Sequence, residues 1–273
     1  TGCCQRPHML FYEHLCVGTP DVVLVCGTSF ACRGEWDTVT ERPESREKLS
    51  KERSKHMAMT SRERVANTLS LKPVDQTPIA VSPWGATVQR WRDEGHLGPD
   101  EDVAEHFGQD LRSGGWLNST VKLDFESVVL EETEETILCL DGNGAKLRRH
   151  KLHDSTPEHV GFTVKDRATW EEHAKPFLVD LDRRRIPFEG YRQAKAFAEE
   201  RERFYCWGGV GPFEQIHPVC GHEYMLMGMA LDPDWVRDMV DTYVNLTIIH
   251  LEVLFAEEGK PDGFFVYEDM GFK

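Results

Sequence analysis

Positive charge is scarce in this sequence. Lysine and arginine number 32 against 47 aspartates and glutamates, a formal net charge of -15. A surface of that sign repels phosphate backbones, which excludes a general nucleic-acid binder, and it makes an anionic membrane a poor partner. Long apolar runs are missing too. The longest near the start, "DVVLVCGTSFAC" (21–32), is too short to span a bilayer and lacks the basic flank of a signal peptide; a cytoplasmic location is expected. Cysteine is thin beyond the first 32 residues: Cys3, Cys4, Cys16, Cys26 and Cys32 crowd there, and only Cys139, Cys206 and Cys220 follow. That pattern is neither an evenly stapled secreted scaffold nor a zinc spacing. The glycines of "GGVG" (208–211) lack the third glycine and the ribose carboxylate of a dinucleotide fingerprint.

What is present is enough apolar material for a sizeable core, 40% of 273 residues. It is unevenly distributed. Residues 1–56 begin with Thr1, show no sustained period of 2 or 3.6, and finish in the charged stretch "ERPESREKLSKERSKH" (41–56). They read as a leader, either disordered or a non-native extension. The domain is expected to occupy 57–273. Met57 and Met59 are candidate starts, and Thr60 with Glu63 makes a capping box ahead of an apolar stripe at Val65 and Leu69.

Along that domain, "TPIAVS" (77–82) predicts a short buried strand ending at Pro83, and 86–97 and 100–111 predict helices broken at Gly98-Pro99. The stretch 125–151 predicts extended segments with a turn at Asp141-Gly142-Asn143-Gly144. Helices are expected at 164–177 and 190–204, then a strand at 204–209. The clearest unit follows. Asp232 caps a helix with Pro233 in its first turn, apolar residues recur every three or four positions from Val236 to Phe255, and Gly259 and Pro261 stop it. "GFFVYED" then reads as a strand buried on both faces. A strand, helices over 219–257 and a strand at 263–267 predict a right-handed parallel crossover, hence α/β. Ligands of such folds sit beyond the carboxyl ends of the strands. Three such ends carry chemistry: Trp84, which either floors a pocket or packs; Glu214, which either accepts from a ligand or caps the next helix; and the pair Glu268 and Asp269. Alternation allows one of that pair to face the shared mouth of the strand ends. The expectation is Glu268, with Phe264 and Val266 on the same face.

"TSRERVANTLSLKPVDQTPIAV", "HFGQDL", "VKDRATWEEHAKPFL", "GGVGPFE", "GHEYMLMGMALDPDWVRDMVD" and "YEDMGFK" resemble, in that order, the uroporphyrinogen decarboxylase superfamily across about residues 59–273. The resemblance implies a (β/α)8 barrel, here with an inserted β-hairpin. It also implies a partial one, because a whole barrel takes about 250 residues and the family continues past its "EDMGFK"-like stretch. The chain is thus expected to be a fragment that stops after about the fifth of eight strands.

The family holds two chemistries, decarboxylation of uroporphyrinogen in porphyrin biosynthesis and methyl transfer linked to a corrinoid protein or a thiol. The decarboxylases carry an arginine-rich RQAGR segment after the first strand, where forked cations meet the substrate carboxylates. Here that place reads "SPWGATVQRWRDEG" (82–95); Arg90 and Arg92 are present without the motif. Methyl transfer is therefore slightly favoured, with decarboxylation and an inactive or binding-only paralogue as alternatives. Implied partners are a tetrapyrrole or other small-molecule substrate and a corrinoid protein, with no nucleic acid and no membrane. The family's zinc ligands belong to its C-terminal part, so zinc is expected only of a full-length parent, and no metal or other cofactor is assigned to these residues. "HPVCGH" (217–222) sits too early for that zinc site and reads as a loop and helix start around a buried cysteine, with His217 as a substrate-binding candidate. By the same resemblance Asp110 joins Glu268 and Asp269 as a catalytic candidate.

Overall fold

The structure is a computed structural model, and it describes residues 23–27, 58–152 and 156–268. Asp269 and Met57 lie outside them, as do the cysteines before Val23 and after Gly27. The fold is mixed α/β, with two four-stranded sheets that do not close into a barrel among the described residues.

The first sheet is parallel. Its order is β1 (Val23–Gly27), β8 (Gly263–Tyr267), β7 (Phe204–Val210) and β2 (Leu111–Ser113). Leu111 pairs with Phe204, Cys206 with Gly263, and Val23 with Gly263 on the other side. Residues 23–27 belong to the segment read as leader, and here they form the edge strand beside β8. The second sheet is an antiparallel meander of β3 (Val128–Glu132), β4 (Thr136–Leu140), β5 (Ala145–His150) and β6 (Glu158–Phe162). Its central turn falls at the expected residues. The Asp141 carboxylate accepts from the Asn143 and Ala145 amides, and Gly144 takes φ 77°. The meander pairs with no strand of the parallel sheet.

Helices fill the connections. α1 (Ser61–Leu69) starts at the capping box: the Glu63 amide donates to Thr60 Oγ1 and the Thr60 amide to Glu63. α2 (Gly85–Asp93) and the short α3 (Val103–His106) precede β2. α4 (Arg167–His173) is capped by Asp166, α5 (Phe188–Glu200) leads into β7, and α6 (Pro212–Leu231) and α7 (Pro233–Glu258) carry the chain from β7 to β8. Asp232 stands between those two. It ends α6 and accepts from the Trp235 amide to start α7, as the Asp-Pro dipeptide predicts.

Three departures from the expectations have local causes. Residues 77–82 are not a strand, and Ile79 and Val81 are 41% exposed. Pro78 brings no N–H, and the segment is tied instead to the residues before β2: Ile79 exchanges bonds with Asp110, and Val81 O accepts from Gln109. The first of the helices expected over 219–257 begins seven residues earlier, at Pro212, and is kinked at Gly221 (φ 75°, ψ 160°). β8 is half-buried, with Tyr267 exposed, rather than buried on both faces.

The core explains which way the parallel strands face. Tyr205 and Trp207 of β7 pack among Tyr191, Ala194 and Ala198 of α5 and Leu254 of α7. Phe204 and Cys206 point to the other face, against Val65 of α1. A second cluster joins Val121, Val164 and Trp170 to Ile216, Val219 and Met225 of α6 and Trp235, Met239 and Tyr243 of α7. Each of these large side chains stabilises the fold by about 1.5–3 kcal/mol through removal from water. α7 is long and apolar enough to cross a membrane by length and composition, contrary to the reading that no such run exists. It carries Trp235, Val236, Met239, Tyr243, Leu246 and Leu254 into both clusters.

Candidate functional site

β7 and β8 finish side by side, because Val210 pairs with Tyr267 and the Gly211 amide donates to Tyr267 O. Glu268 therefore emerges beside the turn from β7 into α6. Its Oε2 accepts from the Phe213 amide at 3.3 Å, one of the free N–H groups of the α6 N-terminus. Gly211 permits that approach, since a Cβ on it falls 2.2 Å from Glu268 Oε2. The orientation corrects the expectation for this strand. Phe264, in register with Trp207, packs edge-on against Phe255 of α7 and Trp116. Phe264, Val266 and Glu268 thus share the helix-side alternation, and Phe265 and Tyr267 take the opposite face, where their rings meet at 4.6 Å. "FFVY" is apolar on both faces, so it contains no polar marker of which face is which.

Gly211→Ala is expected to lower activity with little change in melting temperature. The backbone at Gly211 (φ -73°) accepts alanine, whereas the added methyl displaces the Glu268 carboxylate from the Phe213 amide. A melt within a few degrees of wild type, alongside assayed rates, checks it.

One turn further along α6 lies an imidazole cluster. Glu214 Oε2 and His217 Nε2 are 3.0 Å apart, both side chains mostly buried. His222 stacks on His217 with centroids 4.5 Å apart and planes 15° from parallel. Residues five apart are about 140° apart around a regular helix. It is the break at Gly221 that swings His222 over His217. The break is held open by β6, whose Phe162 ring fills the space where a Gly221 side chain would be. The same strand brings His159 to 6.0 Å from His217. Burial, and then the charges His217 and His222 can carry, push the His159 pKa down.

The pairing with Glu214 fixes His217 with its Nε2 proton toward the carboxylate. His217 Nδ1 is then a buried lone pair with no hydrogen-bond partner among the described residues. A carboxylate-oriented imidazole with its other nitrogen free is the arrangement of a general base.

The sequence candidates are thus partly assembled. Glu214, His217 and Glu268 gather around the first turns of α6. Trp84 is 59% exposed just ahead of α2 and shares no ring contact with that cluster among the described residues. Asp110 lies at the other end of the sheet, before β2, and is completely buried. Its carboxylate accepts from Ser61 Oγ (2.8 Å), Arg64 Nη1 and the Ile79 amide (2.7 Å), which makes it a brace between α1, the 77–82 segment and β2. Arg90 is exposed and pairs with Glu94, and Arg92 reaches Glu101 O.

His222 and His159 were missed as site residues. "HPVCGH" contained a signal for the first; nothing local marks the second, which arrives from the other sheet. Cys220, next to the break, is fully buried, and desolvation pushes its thiol up to about 12. Cys206 is likewise raised, to about 11. No group of three or more His, Cys, Asp and Glu among the described residues is arranged to hold a metal ion. No protein-family model, curated protein or solved structure matches this chain.

Proposed function

We propose that the chain is part of a (β/α)8 enzyme of the uroporphyrinogen decarboxylase superfamily, and that it performs methyl transfer at the carboxyl ends of β7 and β8. The observation that carries the reading is the Glu214–His217 pair, with His217 Nδ1 unpartnered beyond the end of a parallel strand. The ordered resemblance of six segments and the parallel β2–β7–β8 arrangement support the family assignment.

His217 Nδ1 takes the proton of a thiol acceptor. The resulting thiolate forms the new S–CH3 bond, and the methyl donor, a corrinoid or another methylated small molecule, leaves with the electron pair of the bond that breaks. Glu214 holds His217 in the required tautomer and stabilises its protonated form. Decarboxylation is the second reading. Arg90, placed where the decarboxylases carry their cationic forks, is engaged by Glu94 instead, which favours methyl transfer.

Incubation of the protein with a methylcorrinoid and a small thiol tests this, with uroporphyrinogen in a parallel assay. Demethylation of the corrinoid is expected, with His217→Ala slower by a factor of about 100 or more and Glu214→Gln impaired as well. Turnover of uroporphyrinogen, absence of methyl transfer, or a His217→Ala variant as fast as wild type overturns the proposal.

A further inference from the structure

Away from the strand ends, a cavity of about 300 Å³ opens between the loop after β2 and the turns before α5, with Lys122, Phe125, Phe177, Arg184 and Arg185 in its wall. Arg185 is 2% exposed. Its guanidinium donates to four backbone carbonyls, those of Asn118, Thr120, Val121 and Phe177, and its Nε–H has no partner. Carbonyl dipoles satisfy N–H groups but do not cancel a charge, and buried cations ordinarily have a carboxylate in contact. The Lys122 ammonium sits 5.0 Å above the Phe177 ring and likewise makes no ion pair among the described residues. The two acids of the wall, Asp124 and Asp182, are both engaged by Arg184. In a chain with a formal net charge of -15, the wall of this hollow sets Lys122, Arg184 and Arg185 against Asp124 and Asp182, so positive charge is in excess there even with Asp182 acting on Arg185.

We propose that the cavity is a binding site for a small organic carboxylate with an apolar body. The carboxylate meets Lys122 at the mouth, in the positive field of Arg185, and the apolar portion lies on Phe125 and Phe177. The volume is at the lower end for small-molecule pockets, which limits the ligand to a compact one. Cation-to-carboxylate contacts in a partly enclosed hollow are stronger than neutral hydrogen bonds, and the two rings supply the burial that a bare inorganic anion cannot use. This site is separate from the Glu214–His217 cluster and does not rest on the methyl-transfer reading.

The probe is benzoate, titrated calorimetrically at constant ionic strength against a chloride control, with inorganic phosphate in a second arm. Saturable benzoate binding below about 10 mM is expected, with phosphate weaker by about tenfold or more. Lys122→Met should lose benzoate binding by about tenfold while keeping the wild-type melting curve, because its ammonium makes no ion pair or hydrogen bond among the described residues, and Lys122→Arg should restore it. Four results overturn the site: no saturable benzoate binding, phosphate bound as tightly as benzoate, full affinity in Lys122→Met, or an affinity lost in Glu214→Gln and kept in Lys122→Met. The last of these places the anion at the strand ends.

Discussion

Asp110→Asn should destabilise the protein by about 3 kcal/mol, the range for removing one partner of a buried ion pair. For a domain of this size that lowers the melting temperature by about 10 °C. Three donors converge on the Asp110 carboxylate from separate parts of the chain: Ser61 and Arg64 of α1, and the Ile79 amide. An asparagine presents an NH2 where one of those donors must be accepted, and it removes half of the negative charge that flanks Arg64. Arg64, itself 8% exposed, keeps Asp75 on Nε and Nη2. The Arg64 guanidinium holds the Asp75 carboxyl far below the usual carboxylate range. Asp75 therefore contributes its stabilisation in full above the ordinary carboxylate pKa, and that contribution fades only as acid protonates it in the folded state. Thermal melts at neutral pH check the variant. A wild-type melt with loss of reaction rate alone would return Asp110 to the catalytic group.

Gly221→Ala should be as costly, about 3 kcal/mol or more. At φ 75° and ψ 160° the backbone occupies a region essentially restricted to glycine, at about 1–3 kcal/mol for any other residue. A methyl group there also falls 2.3 Å from the Phe162 ring, which belongs to a strand and not to a flexible tip. Relief requires moving β6 off α6. The expected signature is twofold: a lower melting temperature, and a His159 pKa that rises toward its ordinary value as burial and the neighbouring His217 and His222 charges are lost, read by imidazole proton resonances. An unchanged His159 titration would show that the break is not what assembles the cluster.

These two positions show what was legible in the sequence and what was not. The Asp232-Pro233 start, the Gly259 stop and the Asp141–Gly144 turn are local chemistry, and the structure has them where the residues predicted. Gly221 was visible in "HPVCGH", but its backbone angles depend on Phe162, nearly sixty positions away. Asp110 was a candidate through the resemblance; its partners Ser61, Arg64 and Ile79 are distant in sequence, so its role as a brace had no local trace. The facing of β8 failed for a different reason. Four apolar residues in a row show no alternation, and only the pairing of Phe264 with Trp207 reveals that it faces the helices. Glu214 was singled out for its place after the strand-end glycines and His217 for lying in "HPVCGH"; their i,i+3 pairing became visible only with α6 starting at Pro212.

The separation of the two sheets has a consequence for the order of assembly. Every pairing of the meander joins neighbours in the chain, Leu140 to Lys146 across a tight turn among them, and contacts of that kind form within microseconds. The β2–β7 pairing must bring Leu111 to Phe204, with the whole meander strung between them. That closure, like the longer one that joins Val23 to Gly263, forfeits chain entropy before any contact rewards it, so pairing of the parallel sheet is expected to be slower than that of the meander. A refolding chain is therefore expected to complete its antiparallel sheet before its parallel strands pair. The interval in which β7 and β8 lie open, with Trp207 and Phe264 uncovered, is when the protein is most exposed to aggregation.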